Sequence, residues 1–554
     1  MFKKTICFLI LFITSICFSQ KEKGFLICYE KYYNNNLIDS DNLILNFVTE
    51  NKNYISSTKI EKKKAEFPYE VTLVNTRETS FQKINYLSAE KQIQTKDTAT
   101  ILSYKFELFP NETKKICGYT CKKATTVINS NQYTIWFTNT LKNNGGPTTL
   151  GQNLGLVLEV NRNNNFIITA KKVEKSKFDF PKTENIKSFD NLTYQDLVWK
   201  SRFKTLPIFT NEIINFSSES VSNDSILRFA NGTIILKKVK FPKMSVKDLS
   251  FIDLSLQSNG DAYDRTGSLF VIPEEKEVSF FDALQKGISV LPVYENGNGK
   301  KYQGVTLTEN YIPTLELMRF FTPFGIHKYN HITLKDKEWH DVVIYRQDIS
   351  DFNNYLSDKE IWVGAFVGNY DKGGHKVSVN ITIHNEGTKT KESEFILPLF
   401  NTTNIMEMAE QNYATMFDSE NGLIVSFELK ENVSNAKLRY ISTGHGGWEN
   451  GDEFLPKKNT IILDNKIVSE FIPWREDCGS YRLFNPASGN FNNGLSSSDY
   501  SRSNWCPGMV TYPTYIDLGN LSAGKHNIQI KIPQGKPEGE SFSAWNISGV
   551  LIGN

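Results

Sequence analysis

Three stretches of this 554-residue chain gather side chains able to move protons or hold a polar substrate. The first is Asn259-Gly-Asp-Ala-Tyr-Asp-Arg-Thr-Gly-Ser, which sets Asp261 and Asp264 beside Tyr263 and Arg265. Asn-Gly opens a turn, and Ser268-Leu-Phe-Val-Ile begins a strand. A carboxylate at such a junction can activate water, and a neighbouring guanidinium sets its pKa. The same residues also fit a plain turn with a surface ion pair. The second stretch is Ser442-Thr-Gly-His-Gly-Gly-Trp-Glu-Asn-Gly-Asp-Glu-Phe, which carries His445, Trp448, Glu449, Asp452 and Glu453. Its glycines let backbone approach a ligand, and the indole offers a flat face to a sugar ring. A long solvated hairpin is the plainer reading. A metal on His445 with Asp452 or Glu453 lacks a second imidazole at fixed spacing. The third stretch runs from Trp474-Arg-Glu-Asp-Cys to Arg502-Ser-Asn-Trp-Cys. A Cys478–Cys506 disulfide in an exported protein would staple the loop that bears Arg502 and Trp505.

Other chemistries find no residues. There is no Gly-x-Ser-x-Gly elbow, no His-Glu-x-x-His and no phosphate-cradling glycine loop. His327 and His331 have helical spacing in a strand-and-turn context, so packing is expected of them. Asn-x-Ser/Thr triplets, as at Asn191 and Asn432, follow from Asn abundance as readily as from glycosylation. Neither metal nor cofactor is expected.

The elements that must position these residues read as strands. Runs such as Thr233-Ile-Ile-Leu, Lys376-Val-Ser-Val-Asn-Ile-Thr-Ile, Leu423-Ile-Val-Ser-Phe-Glu-Leu and His526-Asn-Ile-Gln-Ile-Lys-Ile are separated by Gly/Asn/Asp turns. Helical periodicity is weak outside Ile405–Tyr413. Two sandwiches fit residues 205–395 and 396–554, with the join in the polar turn near 386–392. Residues 21–204 form a separate β-rich unit, with a connector from about 176 that includes a short helix near Tyr194–Trp199. The fold class is all-β.

Residues 1–20, MFKKTICFLILFITSICFSQ, combine a basic start, an apolar core too short to span a membrane, and a small residue near the cut. They read as a cleavable export signal, so the mature protein is expected to be secreted or periplasmic, without a membrane span. Removing them leaves 61 basic and 61 acidic residues, split into +9 over 21–204 and −9 over 205–554. An acidic half bearing all three candidate stretches argues against nucleic acid as the partner. Of the remaining cysteines, Cys28, Cys117 and Cys121 lie in the first unit, where the sequence does not choose among pairings.

Residues from about 221 to 554 resemble the flavobacterial peptide-N-glycosidase F family. Gly260-Asp-Ala-Tyr-Asp-Arg is similar to that family's Cys-Asp-Glu-Trp-Asp-Arg block. Phe320-Phe-Thr-Pro-Phe with Asp348-Ile-Ser-Asp-Phe, Asn450-Gly-Asp-Glu-Phe with Asn459-Thr-Ile-Ile-Leu, and Ser501-Arg-Ser-Asn-Trp-Cys-Pro-Gly-Met match three further blocks in order. The resemblance implies two adjacent antiparallel jelly rolls with the site at their junction. It implies Asp264 as principal catalytic carboxylate and Glu453 as the second. Asp261, Tyr263, Arg265, His445, Trp448, Asp452, Arg502 and Trp505 would bind the chitobiose core of N-glycosylated peptides or order its water. Arg265 would hold Asp264 ionised. The activity implied is a monomeric amidase that releases whole glycans from asparagine. Gly368 stands where the family has a third Glu, and two of the family's three disulfides are absent. A catalytically inactive glycan-binding or surface-attachment protein is therefore the rival reading, and a metal monooxygenase a weaker one. Residues 21–175 resemble the GLPGLI family of exported proteins, which implies a β-rich fold and no defined function.

Overall fold

The computed structural model describes residues 21–98, 104–245, 247–326, 333–385, 394–403, 413–446, 451–486, 496–536 and 543–554. The chain divides into two units, Met1–Arg202 and Phe203–Asn554. His327, His331, Trp448 and most of the 405–413 segment lie outside the described residues, as do residues 1–20. Among the described residues no helix is long and apolar enough to cross a membrane.

The N-terminal unit is built on one sheet of 13 strands. At its middle, β1 (Glu22–Tyr33) pairs antiparallel with β2 (Phe166–Phe178), in register from Glu22↔Phe178 to Tyr33↔Phe166 around a bulge at Cys28/Tyr29. Alternation along these strands sends Ile27, Tyr29 and Ile168 into a core shared with Val48, Leu156 and Leu158. The short helix is present as Asn191–Lys200, where Asp190 accepts from the Thr193 N–H at 3.0 Å and so caps it. Cys28, Cys117 and Cys121 are all free thiols.

The second unit holds two sandwiches. In the first, a four-stranded sheet runs in the order Lys204–Ile214, His375–Asn385, β3 (Asp248–Ser258) and Val342–Asp348. It faces a six-stranded sheet whose centre is Glu360–Val367, β4 (Thr266–Ile272) and β5 (Leu315–Phe321). In the second sandwich, one sheet carries β6 (Val433–His445) and β7 (Ala544–Gly553) between Phe395–Asn401 and Thr514–Leu521. The other sheet runs Leu423–Leu429, Gly524–Lys531, Asn459–Leu463, Lys466–Phe471.

The six-stranded sheet is covered on both faces. Leu269, Val271, Leu317 and Phe320 fill the first sandwich, while Phe270 and Ile272 join a core continuous with Leu399, Leu438, Ile547 and Leu551 of the second. This explains why Ser268-Leu-Phe-Val-Ile and Leu315-Glu-Leu-Met-Arg-Phe-Phe do not alternate in polarity: every residue of β5 is buried. Two charges therefore lie inside. A bulge in β5 lets Leu269 face Met318 while Phe270 faces Glu316, and the extra residue puts Glu316 and Arg319 on one side of the strand. Their side chains are 0% exposed and pair at 2.8 Å. Glu316 also accepts from Ser268 and Ser548, and Arg319 donates to the Asn546 carbonyl at 2.6 Å and to the hydroxyls of Thr403 and Thr443. Arg439 of β6 donates back to the Glu316 and Leu317 carbonyls. The two sandwiches are thus joined by a polar network in which Glu316 and Arg319 are paired, as buried charge requires, while Arg439 Nε has no partner among the described residues.

Candidate active site

Three segments from distant parts of the chain meet at the join. The loop 259–265 leaves β3 and enters β4, carrying Asp264. Gly260 stands in it at φ +152°, where an added Cβ would lie 2.8 Å from the Asp371 carboxylate, so the turn excludes a side chain there. The turn after β6 carries Glu453, whose carbonyl accepts from the Ser503 N–H at 2.9 Å. The third segment carries Arg502. It is tied down by paired backbone bonds with Arg475, each 2.9 Å, and by the Cys478–Cys506 disulfide close behind.

Arg502 is the centre of the arrangement. Its side chain is 1% exposed, and Nη1 donates both to Asp264 Oδ2, at 3.2 Å, and to Glu453 Oε1. Nη2 donates to the Ser497 carbonyl. The guanidinium lies over the Trp505 ring at 4.4 Å and the Phe454 ring at 5.0 Å. Each carboxylate side chain is 17% exposed, so one cation holds two acids that still reach solvent. Burial pushes Glu453 up to about 7, against the pull of Arg502 and with a further push from Asp264. Asp264 is likewise raised by burial, opposed by Arg502 and then Arg265.

Arg265 pulls Asp264 down as expected, but burial outweighs it. Its fork closes on Asp261, with Nε–Oδ2 at 2.8 Å and Nη2–Oδ1 at 3.1 Å, and Asp264 sits above rather than below its ordinary range. Asp261 is buried and also accepts from the Tyr263 N–H. It closes the loop on Arg265. Thr322 secures the same loop, accepting from the Arg265 N–H at 2.8 Å and donating to the Tyr263 carbonyl. The exposed part of this half is aromatic. Tyr263 and Tyr370, each about half exposed, flank Arg265 at 5.3 and 5.7 Å from its guanidinium carbon.

Three other expected binding residues, Asp452, Trp505 and His445, make contacts within the protein. Asp452 is fully buried: Trp545 Nε1 donates to it at 2.7 Å and the Gly535 N–H at 3.0 Å, on the far side of the turn from Glu453. Trp505 is buried against Phe321, ring centroids 4.3 Å apart, with Nε1 on the Gly444 carbonyl. It backs Arg502. His445 stacks on both rings and places Nε2 2.8 Å from Thr443 Oγ1. With Arg319 donating into that hydroxyl, its proton can turn to Nε2. Burial and the charges of Arg319 and Arg502 hold the imidazole at about 3, hence neutral. Trp448 lies outside the described residues. Gly368 bonds the Thr266 carbonyl, and an added Cβ would meet the Phe366 ring at 3.2 Å. Among the described residues no three His, Cys, Asp or Glu side chains gather to hold a metal.

The family model for the N-terminal domain of peptide-N-glycosidase F matches residues 205–383, and that for its C-terminal domain matches residues 412–552. The chain belongs to the peptide-N-glycosidase F family. The N-terminal unit, expected to be GLPGLI-like, carries at 27–196 the match to the N-glycanase peptide N-terminal domain. The solved structure of PNGF-II is 52% identical over 96% of this chain and 99% of its own, with a TM-score of 0.87. A second crystal form gives 51%, 96%, 98% and 0.82. PNGase F, a glycosylasparaginase from Flavobacterium meningosepticum, is 16% identical over 64% of this chain and 96% of its own, with a TM-score of 0.41. No curated protein matches the chain. In this peptide-N-glycosidase F family member, sequence reasoning missed Tyr370, Phe454, the Ser497 carbonyl and the Glu316–Arg319 pair. A sequence signal existed for the last: two opposite charges inside the otherwise apolar run Leu315-Glu-Leu-Met-Arg-Phe-Phe.

The dyad makes stability depend on pH. The folded chain holds a proton on Glu453 up to about 7, whereas the unfolded chain releases it near 4.5. Folded stability therefore falls as pH rises through that window. Glu453→Gln removes the dependence. The difference in unfolding free energy between parent and variant is expected to shift by up to about 3 kcal/mol in the variant's favour between pH 4 and pH 8. Urea titrations at both pH values check it, and an unchanged difference refutes the assigned environment.

Proposed function

We propose that this protein hydrolyses the amide between asparagine and the innermost N-acetylglucosamine of N-linked glycans, leaving aspartate in the peptide. The observation that carries the reading is the buried Arg502 bridging one carboxylate from each of two loops, Asp264 and Glu453, at the join of the sandwiches.

Asp264 accepts a proton from water, which attacks the side-chain carbonyl of the substrate asparagine. Glu453, with its proton retained near neutral pH, donates to the departing glycosylamine nitrogen as the C–N bond breaks. Arg502 holds both acids in place, and its fixed charge stabilises the oxyanion that forms between them. Water adds across the amide, giving an aspartyl peptide and a glycosylamine, which then loses ammonia to a second water. Tyr263 and Tyr370 offer aromatic faces to the chitobiose rings, with Arg265 fixed between them by Asp261. The disulfide Cys478–Cys506 and the character of residues 1–20 support action outside the cytoplasm.

Gly368, standing where the family has a third carboxylate, favours a second reading: a protein that binds glycans without cutting them. The mature protein incubated with a denatured N-glycoprotein separates the two. A drop in mass by one glycan, with Asn converted to Asp, is expected. Retention of intact glycan alongside measurable glycopeptide binding establishes the inactive reading instead.

A further inference from the structure

In the N-terminal unit, Lys23, Lys142, Lys175 and Lys177 line an open groove of about 690 Å³, with Phe25 in its wall and Glu50 as its single acid. The register of β1 on β2 sets Lys23 directly opposite Lys177 and Phe25 directly opposite Lys175. Directly paired residues, and residues two apart along a strand, share a face. Three ammonium groups and one phenyl ring therefore crowd one side of the ribbon. Phe25 also packs on the edge of the unit's core, so the groove has a rigid back.

Like charges directly opposite one another destabilise a sheet. Neighbouring lysines of this unit are neutralised: Lys31 meets Asp39, Lys171 meets Glu30, and Lys172 meets Glu174. Among the described residues the four groove lysines make no ion pair or hydrogen bond. The opposed pair stands at the open end of the ribbon, one position from its last pair Glu22↔Phe178. An anion arriving from solvent would relieve the repulsion.

We propose that this groove binds an anionic oligosaccharide, a run of sugars carrying carboxylate or sulfate groups. Separate ammonium groups suit anions spaced along a chain. The lining has no arginine fork for paired phosphate contacts. It has one aromatic ring, so successive bases of a nucleic acid find no stacking series. Phe25 gives one sugar ring an apolar face.

The site is independent of the amidase reading, and its test is a binding measurement on the full mature chain. A heparin-derived hexasaccharide titrated at low ionic strength is expected to bind, with affinity falling about tenfold or more as salt rises past 0.3 M. Lys175→Gln and Lys177→Gln each weaken binding about 3–5-fold, Lys177→Glu abolishes it, and Glu50→Gln strengthens it. Without ligand, Lys23→Gln raises the thermal midpoint by about 1–3 °C by removing the opposed pair. That readout keeps the inference testable if a charge-reversal variant folds poorly. Binding indifferent to these substitutions overturns the proposal. So does equal affinity for single-stranded DNA of matching charge, which makes the groove a general polyanion surface. Release of an uncharged glycan from a short glycopeptide, measured on the same variants, stays at the parent level and reports on the amidase reading separately.

Discussion

Asp264→Asn is expected to lower glycan release from a short glycopeptide by about a thousand-fold while leaving the protein folded. The amide keeps the shape and volume of the carboxyl but cannot take a proton from water. Arg502 loses its contact with a charged Asp264 and keeps its hydrogen bonds to Glu453 and the Ser497 carbonyl. Burial already disfavours charge on Asp264, so its neutral replacement does not strain the site, and the urea midpoint should hold or rise. Chromatographic detection of released glycan, read beside near-ultraviolet circular dichroism, makes the comparison. Release within about tenfold of the parent would assign the proton transfer elsewhere.

The largest effect on stability is expected at the join of the sandwiches. Arg319→Met leaves Glu316 in the interior at 0% exposure with only hydroxyl partners from Ser268 and Ser548. Breaking one member of a buried pair in this way costs about 3–5 kcal/mol, because the remaining charge is uncompensated. Replacing both members, Glu316→Gln with Arg319→Met, should recover a large part of that loss. Activity should fall in the single variant beyond what stability accounts for. Arg319 anchors Thr443, Thr443 meets His445, and His445 and Trp505 form the stack beneath Arg502. Denaturant titration of the three variants closes the cycle. Equal losses in the single and double variants would mean that the pair does not act as a unit.

Asp264, Glu453 and Arg502 were legible because the blocks carrying them are distinctive in type and order. The contacts of their neighbours were not. Asp452 and Glu453 are adjacent carboxylates in one glycine-rich turn, and only the path of that turn decides that one faces Arg502 while the other caps Trp545. Arg265 follows Asp264 immediately, yet the loop's curl brings it to Asp261. Trp505, which the resemblance places at the chitobiose core, is buried against Phe321 and Arg502. The all-β class followed from strand runs and turn residues. The two-sided burial of β4 and β5 followed from nothing local, since a continuous apolar run marks a covered strand without saying what covers it.

The strand Val510–Thr511 belongs by sequence to the far end of the chain, yet it pairs with Phe320 and Arg319 to finish the six-stranded sheet of the first sandwich. Arg502, eight residues before it, meets Asp264 across 238 positions. A ribosome completing this protein therefore releases nearly the whole polypeptide before the first sandwich can close its edge or the carboxylates can find their cation. Such long-range closure slows folding. It also means that no fragment ending between the sandwiches brings Asp264, Glu453 and Arg502 together: the three meet only once the segment around Arg502 has been made.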